Sequence, residues 1–194
     1  RGMSHVGHGD FRGRRIVLFG CGKVGRGIAM YALLEGALLT VVDDASRVKP
    51  PAGASLVDFR DRMAVEAALE EAWCVVSATG RAGALTGCFD MAKLAAGKAL
   101  IANMGVEDEF GPELPAERVL NGKAPLNFVL EEPTQLKYID PTMALDNAGI
   151  PVLLAGGLPA GLARPAPELE EEILDVVRKR GEVAAELSLM EEFL

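Results

Sequence analysis

The stretch Arg15-Ile-Val-Leu-Phe19-Gly20-Cys21-Gly22-Lys23-Val24-Gly25 decides the fold. Its first five residues are a short apolar run ending at glycine, which reads as a buried strand. Beyond the glycines, Val24, Ile28, Tyr31 and Ala32 recur at helical spacing up to Glu35, so the stretch reads as strand, tight turn, helix. In a turn of this GxGxxG pattern, Gly20 permits the bend out of the strand and Gly22 lets backbone approach a pyrophosphate. Gly25 lets the helix pack closely on the strand. The amides and positive dipole end of the helix, with Lys23 and Val24 in its opening turn, are then expected to receive the diphosphate.

Outward from this turn, Leu38-Leu-Thr-Val-Val42 is a second β-rich run ending on Asp43-Asp44, which completes one βαβ unit. Asp43 stands eighteen residues past Gly25 at a strand end, where a carboxylate binds a ribose 2'-hydroxyl. NAD is therefore the expected cofactor, because the same charge repels a 2'-phosphate. Arg47 keeps NADP open as an alternative, and an S-adenosyl compound, which uses a similar turn, is another.

The alternation continues with a short strand at 55–57, a helix at 61–71 and a strand at 73–77 that ends at Thr79-Gly80. A helix at 89–96 is closed by Gly97, and a strand at 99–103 runs into Gly105. This order predicts an α/β protein of Rossmann type, a doubly wound, mostly parallel sheet with a C-terminal helix. The ligand crevice is expected at the carboxyl ends of the strands, near Phe19, Asp43, Ala78 and Asn103. Residues 125–130 and 151–155 read as extra strands. Between them Asp140-Pro141 starts a short helix that stops before Gly149. From Pro167 an apolar stripe of Leu169, Ile173, Val176, Val183, Leu187, Met190 and Leu194 marks a helical tail, divided at Gly181.

Arg1-Gly2 ahead of Met3 reads as a tag remnant, so residues 1–14 are expected to be that remnant and an arm. Residues 15–162 are expected to form the cofactor-binding domain, and 163–194 a helical segment of the same domain. With 194 residues, 49% hydrophobic and 25% charged, the chain has an ordinary globular composition. Its net charge of -8 opposes nucleic acid and anionic membrane surfaces. A small-molecule substrate or a separate substrate-binding chain is the expected partner. Apolar runs fall short of the ~20 residues a spanning helix needs. Cys21, Cys74 and Cys88 have no metal-ligand spacing, and the expected location is the cytoplasm.

With these residues placed, the chain resembles the NAD-binding domain of S-adenosylhomocysteine hydrolase. The resemblance rests on Gly20-Cys-Gly-Lys-Val-Gly-Arg-Gly27, Ala78-Thr79-Gly80, Ile101-Ala-Asn103-Met-Gly105 and, more weakly, Val152-Leu-Leu-Ala-Gly-Gly157. It implies that Thr79, Gly80 and Asn103 lie at the nicotinamide end and that Asp43 binds the adenosine ribose. It also implies association through late helices, so a homodimer is expected. The family's histidine after the Asn-x-Gly turn is Val106 here, and its large substrate domain has no counterpart.

Acid or base chemistry beside a nicotinamide needs a titratable group in the crevice. Glu107 and Asp108 are the catalytic candidates, with a solvated acidic loop as the plain alternative. Lys137, Tyr138 and Asp140 are weaker ones, since the adjacent Lys137-Tyr138 pair does not share one helix face. Arg81 suits a substrate carboxylate. Cys21 sits where a helix dipole lowers a thiol pKa, although a small filler is the simpler reading. The function expected is an NAD-dependent oxidoreductase or the cofactor half of one. The alternatives are a non-enzymatic NAD-responsive module and an excised domain of a larger hydrolase-like enzyme.

Overall fold

The computed structural model describes residues 1–158 and 160–193. They form two compact units, Arg1–Pro133 and Thr134–Leu194.

The first unit opens with a short helix, α1 (Gly2–His5), followed by β1 (Arg15–Phe19), α2 (Lys23–Leu34), β2 (Leu38–Asp43) and β3 (Ser55–Asp58). Then come α3 (Arg62–Glu70), β4 (Cys74–Ser77), α4 (Met91–Ala96) and β5 (Leu100–Asn103). All neighbouring strands are parallel, in the order β3-β2-β1-β4-β5. The sheet is the doubly wound α/β architecture that the alternation predicts. Side chains alternate across it with period two. Ile16, Leu18, Leu39, Val41 and Val76 face Ala29 and Ala32 of α2. Val17, Phe19, Val75 and Ile101 face Val65 of α3, Met91 and Leu94 of α4, and Phe110. Helices on both faces are why the strands read as continuous apolar runs rather than alternating ones.

Local capping explains where the helices start. Asp61 accepts the Ala64 N–H at 3.1 Å and Asp90 the Lys93 N–H at 2.9 Å, each satisfying a donor that the first turn leaves open. Gly22 stands at the same position before α2 and brings no side chain to its first turn.

The strand expected at 125–130 is instead a single 3-10 turn, Leu126–Val129. The sheet edge is already covered at this point: the Leu120 N–H donates to the Ile101 carbonyl at 2.8 Å and forms an isolated parallel bridge beside β5. The strand expected at 151–155 and the short helix at Asp140 are also corrected. Both belong to one long helix, α5 (Leu136–Ala155), which carries Pro141 and Pro151 inside it and ends where Gly156 turns to φ 72°. Neither proline has an N–H to donate to the helical ladder, so the helix passes each of them with one backbone bond missing.

The second unit consists of α5, α6 (Pro167–Arg180) and α7 (Ala184–Phe193), with Gly181 between the last two as expected. α5 buries no residue, and Leu153 and Leu154 are 70% and 83% exposed. The side chains of the Phe193-Leu194 end, on which the dimer expectation leaned, lie outside the described residues. No helix among the described residues is long and apolar enough to cross a membrane.

Candidate functional site

Two of the three glycines of the turn are held by steric constraints, and the third is open. Gly20 has φ 91°, and a Cβ there would stand 2.5 Å from the Ala78 carbonyl oxygen and 2.9 Å from Thr79 Cα. It therefore permits both the bend and the close approach of the β4 exit. At Gly25 a Cβ would fall onto the Gly20 carbonyl, so this position sets how tightly α2 sits on the turn. Gly22 is the opposite case: it is exposed, and a Cβ would meet nothing within 4 Å. Lys23 and Val24 are exposed beside it, Val24 by 55%. An open glycine before an uncapped helix start leaves backbone N–H groups facing outward, the arrangement that accepts phosphate.

Asp43 reaches this turn from the end of β2. Its carboxylate accepts the Cys21 N–H and the Asp44 N–H, each at 2.6 Å. Beside it, Arg60 forks onto Asp44 at 2.9 and 3.1 Å and also reaches Asp58 at 3.4 Å, while its guanidinium lies 4.3 Å over the Phe59 ring. The Arg60 hydrogen bonds and the Ser46 hydroxyl hold the Asp44 carboxyl well below the usual carboxylate range. Cys21 is 2% exposed in the core under α2, and burial pushes its thiol pKa up. With its side chain in the core, Cys21 packs as a small filler. Cys74, also buried, is pushed up to about 12.

The other side of the crevice is a buried polar network at the exits of β4 and β5. Asn103 is fully buried. Its Oδ1 accepts the Ser77 hydroxyl at 2.8 Å, and its Nδ2 lies within 2.6 to 3.0 Å of the carbonyls of Gly105, Glu107 and Lys123. Asp108 accepts the N–H groups of Phe110 and Gly111 on one oxygen and pairs with Lys123 Nζ at 2.7 Å through the other. Glu107 is exposed. Thr79 and Gly80 lie at the β4 exit, where both backbone N–H groups donate to Glu109, at 2.8 and 2.6 Å. The backbone N–H of Arg81 turns back onto the Thr79 hydroxyl at 3.3 Å.

The structure thus brings Gly20, Gly22, Lys23, Val24, Gly25, Asp43, Thr79, Gly80 and Asn103 to one edge of the sheet, where β1, β2, β4 and β5 end. Lys137, Tyr138 and Asp140 lie on α5 in the second unit, where Lys137 and Tyr138 share Glu186. The sequence reading missed Ser77, Glu109 and Lys123. Glu109 follows two other acids, a pattern that reads as a solvated loop, and only burial distinguishes it from them. A surface cavity of about 360 Å³, lined in part by Leu69, Trp73, Lys93, Leu94 and Ala99, lies elsewhere. Trp73 and Ala99 precede β4 and β5, so this cavity opens at the amino ends of those strands.

A family model described as "Putative NAD(P)-binding" matches residues 9–107, just over half of the chain. Among solved structures, the chain is 20% identical to a shikimate 5-dehydrogenase from Listeria monocytogenes, solved in complex with shikimate and NAD. That match has a TM-score of 0.40 and covers 55% of this chain and 42% of that one. A D-isomer specific 2-hydroxyacid dehydrogenase family protein from Aeromonas salmonicida is 19% identical, with a TM-score of 0.43 and 60% and 37% covered. The D-mandelate dehydrogenase of Rhodotorula graminis is 21% identical, with a TM-score of 0.40 and 59% and 34% covered. The chain spans less than half the length of each of these proteins. No curated protein matches it. On the family match, over the residues that build the glycine turn, Asp43 and the β4 and β5 exits, this chain belongs to the NAD(P)-binding family.

Proposed function

We propose that the first unit binds NAD or NADH in preference to NADP, as the cofactor-binding half of an oxidoreductase. The observation that carries this reading is the Asp43 carboxylate held 2.6 Å from the Cys21 N–H, beside the open Gly22. A carboxylate at this strand end accepts a ribose 2'-hydroxyl and repels a 2'-phosphate. Arg60, which lies beside Asp44, is already engaged by Asp44 and Asp58. The residues fit the cofactor: Gly22 and the first turn of α2 would hold the pyrophosphate, Asp43 the adenosine ribose, and Thr79-Gly80 the nicotinamide end. When bound, the nicotinamide supplies hydride transfer. The chain's own groups orient it and fix the backbone around it.

The glycine turn with Gly27, the Thr79-Gly80 exit and the Asn103-Met-Gly105 turn support a likeness to the cofactor domain of S-adenosylhomocysteine hydrolase. A small-molecule substrate would then be presented by a separate chain or by a second copy of this one. The exposed Leu153 and Leu154 of α5 support a homodimer, and three free cysteines support the reducing cytoplasm.

A second reading is a non-enzymatic NAD-responsive module. It is favoured by Asp108, a candidate acid or base whose oxygens are both engaged by Phe110, Gly111 and Lys123. Calorimetric titration of NAD, NADH, NADP and S-adenosylhomocysteine into the purified protein tests the reading. NAD or NADH binding at least tenfold tighter than NADP is the expected result. Binding of S-adenosylhomocysteine alone, or of no nucleotide, overturns it.

A further inference from the structure

Glu109 is a fully buried carboxylate with which no Lys or Arg among the described residues forms an ion pair. Both of its oxygens are used: Oε2 accepts the Thr79 N–H at 2.8 Å and Oε1 the Gly80 N–H at 2.6 Å. Two consecutive backbone donors on one carboxylate define the path of the chain as it leaves β4. That path includes Gly80 in the left-handed region, at φ 72°. The loop carrying Glu109 is itself tied down, because the Leu85 N–H donates to the Glu109 carbonyl at 3.0 Å and the Gly83 N–H to the Asp108 carbonyl at 2.8 Å. The room for the carboxylate is made by Gly105, where a Cβ would fall onto Glu109 Oε1. Thr79 in turn presses on the glycine turn, since its Cα would stand 2.9 Å from a Cβ at Gly20.

We infer that Glu109 is a positioning residue for the nicotinamide half of the cofactor. Its carboxylate holds the Thr79-Gly80 backbone at the depth that the glycine turn requires, without touching the cofactor. This rests on the NAD reading above. A dinucleotide spans the crevice, with adenosine over the β2 side and nicotinamide over the β4 and β5 side. The inference is therefore asymmetric: Glu109 acts on NADH and not on AMP, which Asp43 would hold alone.

The test is titration of NADH and of AMP into wild type, E109Q and G105A, with circular dichroism confirming that each is folded. E109Q removes the charge and leaves one of the two N–H groups with an amide oxygen as acceptor and the other facing an NH2 donor. G105A keeps the charge and displaces it, at a backbone position that accepts alanine because Gly105 is not in the left-handed region. Both variants are expected to lose about tenfold or more in NADH affinity while AMP affinity stays within about twofold of wild type. NADH affinity within about twofold of wild type in both variants overturns the inference. So does a parallel loss of NADH and AMP, which marks a purely structural role. A wild-type protein that binds neither nucleotide overturns the function reading itself, a failure distinct from the other two.

Discussion

The two halves of the crevice rim are built on opposite plans. On the β2 side, Asp43 and Asp44 are half-buried and Arg60 is exposed, its side chain by 57%; Asp43 accepts two backbone N–H groups, those of Cys21 and Asp44. On the β4 and β5 side, Ser77, Asn103 and Glu109 are fully buried, and their hydrogen bonds link segments far apart in sequence. Polar groups in water lose little when a partner is removed, whereas buried ones keep their full desolvation cost. The β2 side is thus suited to recognition and the β4 and β5 side to holding shape.

Substitutions on the two sides should separate these roles. The largest effect is expected at Phe110, fully buried in the core with Val65, Met91 and Leu94. Phe110→Ala should cost about 3 to 5 kcal/mol in urea denaturation, and a cost below about 1 kcal/mol would break the contrast. Next comes Asn103→Ala, which strands the Ser77 hydroxyl and three carbonyls; a loss of about 2 to 4 kcal/mol is expected in the same measurement.

On the β2 side the expected effects move from stability to affinity. Asp43→Ala should weaken NADH binding roughly tenfold, by loss of a charged acceptor, and leave NADP nearly unchanged in calorimetry. Equal loss for both would remove the ribose assignment. The smallest effect is expected from the Asp44–Arg60 pair, seen in acid titrations of wild type against Arg60→Ala. Asp44 has its folded-state pKa depressed, mainly by the Arg60 hydrogen bonds. Its contribution is therefore complete above the ordinary carboxylate range, about pH 4, and disappears as pH falls through the folded value. Solvent screening keeps it small. A large stability gap between the two proteins at neutral pH would show that this rim is not merely a surface pair.

What could be read locally was read correctly: the strand-turn-helix around Gly20, the helix start at Asp61, the Asp43 strand end and the break at Gly181 each depend on residues within a turn or two, whereas the helix expected from Phe89 starts after the Asp90 cap. Spacing misled at 125–130 and 151–155 because a short apolar run fits a strand and a helix equally well. Tertiary context settled both, through the sheet edge already occupied by Leu120 and the helix that continues through Pro151.

The sequence by itself determined a parallel α/β sheet with a glycine turn and a carboxylate at the next strand end, because periodicity and glycine sterics act over a few residues. Which of three consecutive acids is buried was decided only by tertiary structure. Glu107 is exposed, Asp108 pairs with Lys123, and Glu109 reaches N–H groups 29 and 30 residues earlier in the chain. Desolvation and hydrogen bonding at that separation depend on how the loops meet after the sheet has formed, and no local pattern encodes it.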